Sequence, residues 1–331
     1  IGFDKVENKG EITGKDKSVG IYAKNTAASS KVIDVVNEGN ITLGKGSAGI
    51  YIAPETTNAS NATVVNSGNI TVGDSTFNSS GNVESTSVGI FVKNKTNLTT
   101  SGDITVGNGG VAIYSQNGDI ALSDGTIKTG NDEAVGLYLV GENQNAHVNV
   151  NAKFDLGDNS FGIVNANATG NNYITSSATS VELGSRSVYA YSADKLGVIA
   201  NYTDISTKNA TSRENFGIYS SGRVDNHGNI NFENGIGNVG IYVTGTDGKA
   251  FNLNGGTITI SKSDVVGNNY SIGMAAKNGG KIYNNNTINV TGDYGIGMFA
   301  EGAGRRFGLY AETVGEISPM EVQAAFALPE K

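Results

Sequence analysis

The chain has 331 residues, of which 47 are glycine and none is cysteine, and its net charge is −8 at neutral pH. The lack of cysteine excludes disulfides, thiol catalysis and cysteine-ligated metals. The 23 basic residues are scattered, which argues against a nucleic-acid groove, because such a groove needs a positive track. No stretch approaches the roughly 18 apolar residues of a membrane-spanning helix. The chain begins at Ile1 without a basic-then-apolar signal segment, so we expect a processed or excised fragment.

A short apolar motif, first seen as Ser-Val-Gly-Ile-Tyr at Ser18–Tyr22, recurs along the whole chain. Its later copies are Ala48–Tyr51, Val88–Phe91, Val111–Tyr114, Val135–Tyr138, Phe161–Val164, Val188–Tyr191, Phe216–Tyr219, Val239–Tyr242, Ile272–Ala275, Ile296–Phe299 and Phe307–Tyr310. From Gly20 to Gly297 the motif advances in ten steps over 277 residues, so one unit averages about 28 residues. A period of this size indicates a repeat architecture with one continuous core.

A second motif, Asn-x-Gly-x-Ile-Thr, precedes most copies of the first, as in Asn37–Gly44 and Asn66–Gly73. Alternation places Ile70 and Val72 on one face of a strand and Thr71 on the other. A looser third strand often comes before it, at Lys31–Val36, Ala62–Val65, His147–Val150 and Ala250–Leu253. One unit is therefore predicted as strand, turn, strand, loop and strand, with Asn and Gly supplying the positive φ of the turn.

Three short strands per unit, repeated in one direction, cannot enclose a core unless successive units stack and pair in parallel. We therefore predict an all-β fold, a right-handed parallel β-helix of about 11–12 coils, over residues 1–302. At the usual spacing of paired strands the rod would be roughly 50–55 Å long. A β-sandwich is disfavoured because its antiparallel hairpins give no reason to repeat the same residues in every unit.

Three polar insertions lengthen individual units, at Pro54–Asn61, Asp74–Thr86 and Lys262–Tyr270. In solenoids such insertions often gather on one face and carry binding. Unselected drift in a surface loop explains them equally well. We expect all three to project from the rod.

The repeat fails after residue 302, and residues 303–331 are predicted to form a degenerate last coil and a short helical cap. The segment Ser318–Glu321 predicts the start of a helix, with Ser as N-cap and Pro at the first helical position. Val322, Ala325 and Phe326 give the segment an apolar stripe. Such a helix would cover strand edges that otherwise invite aggregation; the alternative is a frayed tail.

Catalysis would need side chains grouped by the fold. Sugar hydrolysis, for example, uses two carboxylates about 5 to 10 Å apart. The acidic candidates are Asp132 with Glu133, Asp155 with Asp158, and Asp16. Each lies in a turn-like segment, where aspartate commonly caps backbone groups. The two histidines, His147 and His227, form no metal-ligand set. The sequence therefore predicts no enzyme, no catalytic residue, no metal and no cofactor, and it assigns no ligand-binding residue.

The aromatic residue of the first motif is the candidate surface feature. Strand parity puts Val19 and Ile21 in the core, and Gly20 and Tyr22 on the outer face, where the ring would shield the glycine. Stacked coils would align these rings in a column: Tyr22, Tyr51, Phe91, Tyr114, Tyr138, Tyr219 and Tyr242. The column either protects the outer sheet or serves as a platform for sugar rings or a partner protein.

These tandem motifs resemble the passenger regions of large type V autotransporter adhesins of Gram-negative bacteria, with the RadD-like fusobacterial proteins as the nearest type. The resemblance covers about residues 5 to 300. It implies secretion through an outer-membrane barrel, display on the cell surface, and attachment to a bacterial or host protein or glycan. Residues 303–331 depart from the pattern of such passengers.

Three functions stay open at this point. The first is a non-enzymatic surface adhesin or adhesin stalk. The second is a self-assembling solenoid, such as a filament or surface-layer subunit, that associates end to end. The third is a carbohydrate-active β-helix lyase or hydrolase, which would require carboxylates and bases clustered on one face.

Overall fold

The computed structural model of the chain describes residues 3–24, 32–54, 62–80 and 83–302. Within these ranges the protein is all-β, without a helix, and winds into a parallel β-solenoid of about ten turns. Three sheets, here called A, B and C, each contain eleven parallel strands, one from every coil. Ten steps at the usual strand spacing give a stack about 48 Å long. The predicted fold class is confirmed. The described part of the chain contains no helix that is long and apolar enough to cross a membrane.

Sheet A opens each coil. Its strands are β1 (Phe3–Asn8), β4 (Val32–Asn37), β7 (Thr63–Asn66), β12 (Asn97–Thr100), β15 (Ile120–Leu122), β18 (Asn145–Val148), β21 (Tyr173–Ser176), β24 (Val198–Asn201), β27 (Arg223–Asn226), β30 (Lys249–Asn252) and β33 (Lys281–Asn284).

Sheet B follows after a tight turn. Its strands are β2 (Ile12–Gly14), β5 (Ile41–Leu43), β8 (Ile70–Val72), β13 (Ile104–Val106), β16 (Thr126–Thr129), β19 (Lys153–Leu156), β22 (Ser180–Leu183), β25 (Ile205–Thr207), β28 (Ile230–Phe232), β31 (Ile258–Ile260) and β34 (Ile288–Val290).

Sheet C carries the Gly-Ile-Tyr motif. Its strands are β3 (Val19–Ala23), β6 (Ala48–Ile52), β11 (Val88–Val92), β14 (Val111–Gln116), β17 (Val135–Val140), β20 (Phe161–Asn165), β23 (Val188–Ser192), β26 (Phe216–Ser220), β29 (Val239–Thr244), β32 (Ile272–Lys277) and β35 (Ile296–Glu301). The remaining strands, β9 (Thr76–Phe77) and β10 (Val83–Ser85), pair with each other in antiparallel fashion.

Aliphatic side chains from all three sheets form one continuous core. In sheet B the predicted alternation holds, since Ile70 and Val72 are buried while Thr71 faces solvent. Ile41, Ile70 and Ile104 occupy equivalent positions in successive coils, so each isoleucine packs against copies of itself above and below. Burial of apolar area at about 25 cal/mol per Å² makes this stack the main stabilising element.

The glycine of the Gly-Ile-Tyr motif faces the interior, and its predicted place outside, beneath the tyrosine, is wrong. A Cβ on Gly49 would lie 2.7 Å from Cγ2 of Ile70 and 2.5 Å from the carbonyl oxygen of Gly89 in the next coil. The following residue, Ile50, is also buried, and strand pairing skips the glycine. The strand therefore bends there, and the residue before the glycine lies outside the core cluster. Val19 is 49% exposed and does not fill the core as predicted, and the equivalent Val135 and Val239 are covered but do not belong to the core cluster either.

Tyr189 takes the glycine position in its coil, and its side chain enters the core. It is 1% exposed, its ring packs edge-to-face on Phe154 with centroids 5.3 Å apart, and its hydroxyl shares a hydrogen bond with Oγ of Ser176. In the coils on either side, the residues that pair with Ala190 are Ile163 and Ile218. The smaller side chain of Ala190 leaves the space that the tyrosine ring fills. Burial raises the pKa of Tyr189 to about 12.

The asparagines of the second motif form ladders inside the rod. One ladder joins Asn8, Asn37 and Asn66, and another joins Asn201, Asn226, Asn252 and Asn284. In each, Nδ2 donates to Oδ1 of the asparagine in the next coil at 2.7–2.9 Å. Between the ladders the same position holds Thr100, Leu122, Val148 and Ser176. The amides also reach backbone carbonyls, as from Asn226 to Gly228 at 2.9 Å, so their burial leaves few polar groups unpaired.

Positive φ explains only some of these turn residues, which partly corrects the prediction: Gly125 (φ 84°) and Gly255 (φ 99°) are left-handed, whereas the glycines at positions 39 and 68 are not. Most left-handed residues lie at the turns between sheets B and C, such as Lys17 (φ 56°), and between sheets C and A, such as Asn117 (φ 60°) and Asn143 (φ 54°). Glycine is needed at position 39 because a Cβ there would overlap the carbonyl oxygen of Gly10 in the preceding coil. The requirement is close stacking rather than an unusual backbone conformation.

Two of the predicted insertions project from the same turn, between sheets B and C. Residues 74–80 and 83–86 include the β9–β10 hairpin, and residues 262–270 form a turn closed by an Asp264–Asn269 bridge. The third insertion is largely outside the described residues, which lack 55–61. The predicted degenerate coil and helical cap at 303–331 also lie outside them.

We predict that Asn226→Ala lowers the free energy of unfolding by about 3 kcal/mol, because it strands hydrogen-bonding groups of Asn201, Asn252 and Gly228 inside the rod. Urea denaturation followed by circular dichroism measures this loss. The control Asn231→Ala, on the solvent face of sheet B, should cost less than about 0.5 kcal/mol. Equal losses would show that the internal ladder contributes no stability.

Tyr189 also predicts a loss of stability in alkali. The folded state holds the phenol proton more tightly than an unfolded tyrosine with a pKa near 10. The resulting stabilisation is complete below pH 10 and disappears as the pH rises towards 12. Thermal unfolding between pH 8 and 12 should therefore be less pH-dependent in Tyr189→Phe. Parallel curves for the two proteins would contradict this assignment.

Candidate binding surface

The aromatic residues of sheet C form a column on the outside of the rod, as predicted. Parallel pairing in register sets Tyr51 opposite Tyr22 on one side and Phe91 on the other. The ring centroids of Tyr51 and Phe91 are 4.4 Å apart with planes 3° from parallel, and those of Phe91 and Tyr114 are 4.8 Å apart. The column continues to Tyr138 at 5.6 Å. These five rings make one uninterrupted stack.

Two small residues divide the column. Val164 and Ala275, both buried, occupy the ring position in their coils. Between them stand Tyr191, Tyr219 and Tyr242, with Tyr219 and Tyr242 stacked at 4.6 Å. Sequence parity identified most of these rings but did not include Tyr191, whose coil departs from the motif at the glycine.

Stacking limits what this surface can bind. Each inner ring has both faces against its neighbours, so solvent meets only ring edges and hydroxyl groups. Burial is the main cause that raises the pKa of Tyr114 and Tyr219. Tyr22, at the start of the stack, is 57% exposed, and no other ring among the described residues covers its second face. A sugar ring could therefore stack only at such an end, and the column is better suited to covering the sheet.

The carboxylates considered as catalytic candidates are not grouped at one site, and they bind backbone amides or lysine side chains. Oδ1 of Asp16 accepts from the amide of Lys45 at 2.8 Å, and Oδ1 of Asp158 accepts from the amide of Ser185 at 2.7 Å. Asp155 forms ion pairs with Lys128 and Lys208 on the outside of sheet B. These contacts match the capping role that turn-forming aspartates commonly play.

Asp132 and Glu133 are consecutive left-handed residues, with φ of 57° and 64°. Their backbone amides donate to the carbonyl oxygens of Asp158 and Asn159 in the next coil. The pair thus makes the turn between sheets B and C in its coil.

The two histidines are separate features of sheet A. His147 is exposed on its outer face, and His227 directly follows β27, three coils or about 14 Å further along the rod axis by strand spacing. The ring of His227 stacks on Tyr202 with centroids 4.7 Å apart. In the part of the chain that the structure describes, no three His, Asp or Glu side chains come close enough to hold a metal ion.

Sequence reasoning missed a second surface, on the outside of sheet A. Register aligns Arg223, Lys249 and Lys281 in consecutive coils, and we call them the cation column. In the three coils directly before it lies a shallow cleft of about 380 Å³, lined by Asn143, Asn145, Asn171, Asn172, Tyr173 and Val198. The cations are 26 and 32 residues apart in the sequence, so only the register of the coils reveals that they are neighbours.

Comparison with known proteins gives one partial match. The family described as the BigA third pectate lyase-like domain matches residues 4–153. The match covers somewhat less than half of the chain and supports a β-helix of the type found in surface passenger proteins. Neither the curated proteins nor the solved structures gave a match.

We predict that Tyr114→Ala, in the middle of the first stack, lowers the free energy of unfolding by about 2 kcal/mol, because two ring–ring contacts and their buried area are lost. Tyr22→Ala, at the end of the stack, removes one contact at 5.7 Å and should cost less than half as much. Urea denaturation of both variants measures the difference. Equal losses would mean that ring stacking is not what stabilises sheet C.

Proposed function

We propose that this chain is part of a non-catalytic, surface-displayed adhesin, in which the β-helix holds an attachment surface away from the cell. The feature that carries the proposal is the continuous stack of eleven strands in each sheet, which makes a stiff, elongated body. The partial match to a pectate lyase-like domain of a surface protein supports the same role. The partners would be proteins or glycans on other bacteria or on host cells.

The finer assignment we propose is a passenger of a type V autotransporter, of the RadD-like kind. Its support is the tandem Asn-x-Gly-x-Ile-Thr and Val-Gly-Ile-Tyr repeats and a core without cysteine. Such a chain would cross the outer membrane unfolded and would then fold coil by coil on the outside. Each coil needs only its predecessor as a template.

A lyase or hydrolase is less well supported. Catalysis of this kind needs paired acid and base groups facing one substrate position. The carboxylates of Asp16, Asp155 and Asp158 are already engaged by backbone amides or lysines. We therefore propose that the domain is not an enzyme.

Attachment is tested with beads coated with the purified chain and offered to bacterial and epithelial cells. We expect more bound beads than with an unrelated acidic β-rich protein at the same coating density, and competition by the soluble chain. Binding equal to that of the control protein would contradict the proposed function. Release of reducing or unsaturated sugar ends from polysaccharides would contradict the non-enzymatic assignment.

A further inference from the structure

We propose that the outer face of sheet A, from Tyr173 to Lys281, binds a linear acidic glycan that lies along the rod axis. The inference deepens the proposed attachment function by naming a surface and the chemical class of its ligand.

The cation column supplies the charge for this track. Arg223, Lys249 and Lys281 are all exposed and occupy the same strand position in coils nine to eleven. Parallel strands set such positions about 4.8 Å apart. Among the described residues, these three groups make one ion pair, between Nε of Arg223 and Oδ1 of Asp225 at 2.9 Å. On a chain with a net charge of −8, a row of adjacent cations favours an anionic ligand locally.

Aromatic rings hold part of this track in place. The rings of Phe251 and Tyr283 stack with centroids 4.8 Å apart and planes 8° from parallel. The guanidinium of Arg223 lies over the ring of Phe251 at 5.3 Å. Because Nε is tied to Asp225 and the guanidinium plane is held on a ring, its remaining N–H groups have a fixed direction. A preorganised arginine loses less entropy when it binds a carboxylate or sulfate.

The cleft extends the same column with groups that suit sugar hydroxyls. Tyr173 and Val198 precede Arg223 in register, in coils seven and eight. The ring of Tyr173 is 45% exposed and, unlike the inner rings of sheet C, is not stacked on another ring within the described residues. Exposed amides of Asn145 and Asn171 stand beside it. An aromatic ring next to several amides offers both a face for a sugar ring and donors and acceptors for its hydroxyls.

The dimensions favour a linear polymer over a broad surface. Four strand steps from Tyr173 to Lys281 span about 19 Å, which is room for several sugar units. The positive track is one residue wide, and the adjoining outward position in coil nine is Asp225. A membrane or a nucleic-acid duplex would meet that carboxylate as well as the cations. A single chain can follow the cations alone.

Binding of a heparin-derived hexasaccharide to the purified full chain, measured by calorimetry, tests the proposal. Lys249→Gln with Lys281→Gln should weaken binding about tenfold, because the variant loses two exposed charge pairs between lysine and the anionic groups of the glycan. The matched control is Lys128→Gln with Lys153→Gln, which changes net charge equally but on sheet B, and it should bind within twofold of the parent. Tyr173→Ala should weaken binding about fivefold, while Tyr294→Ala, which removes an exposed ring at the turn between sheets B and C, should leave it unchanged. Unaltered thermal unfolding confirms that each variant is folded.

Several outcomes would overturn the inference. They are no binding of the hexasaccharide, equal losses in the two double variants, or equal affinity for neutral maltohexaose. A larger effect of Lys249→Gln with Lys281→Gln on phosphatidylserine vesicles or single-stranded DNA than on the glycan would assign the track to another polyanion. The bead assay separates this inference from the proposed function. If beads coated with the variant Lys249→Gln with Lys281→Gln still attach normally, the adhesin proposal stands, but attachment does not depend on sheet A. If beads coated with the parent chain do not attach, the adhesin proposal is contradicted, whereas the result of the glycan calorimetry is unaffected.

Discussion

The constraint on which this structure depends is the close contact of each coil's backbone with that of the next coil. At Gly39 and Gly68 a single added carbon would overlap a carbonyl oxygen of the preceding coil, and at Gly49 it would press on that of the next coil. Once coils are this close, register is fixed, because a slip of one residue would expose every core side chain. The inward isoleucines and asparagines then meet their own copies, so one favourable contact is repeated along the rod.

The same register organises the outside of the rod, with different consequences for its three faces. On sheet C the repeated residue is aromatic, and the rings satisfy one another face to face. On sheet A the residue in the outward column changes along the axis, from Asp34 in the second coil and Asn145 in the sixth to Arg223, Lys249 and Lys281 in the last three. A repeated feature thus reports how the rod is built, whereas a feature confined to some coils is a better guide to what it binds.

Much of the fold follows from sequence alone, because strands of alternating character at a steady period have few alternatives. The three strands per coil, the outward rings and two of the three projecting insertions were predictable. Strand parity failed at the glycine, where a bend lets two successive residues face inward, so that Val19 was placed wrongly and Gly20 was expected outside. The Asn-x-Gly motif looked like a turn signal, yet Asn37 serves as a buried amide and Gly39 as a contact point. The cation column escaped notice because uneven insertions hide which residues share a coil.

The asparagine ladders also give the rod an electrical direction. In both ladders each bond between coils runs from Nδ2 of one asparagine to Oδ1 of the asparagine in the next coil towards the C-terminal end. Their amide dipoles therefore point the same way and reinforce one another, as in a chain of hydrogen bonds. The positive end of the longer ladder, from Asn201 to Asn284, lies within the coils that carry Arg223, Lys249 and Lys281. The positive end of this buried ladder and the cation column on the outer face of sheet A therefore lie in the same part of the rod.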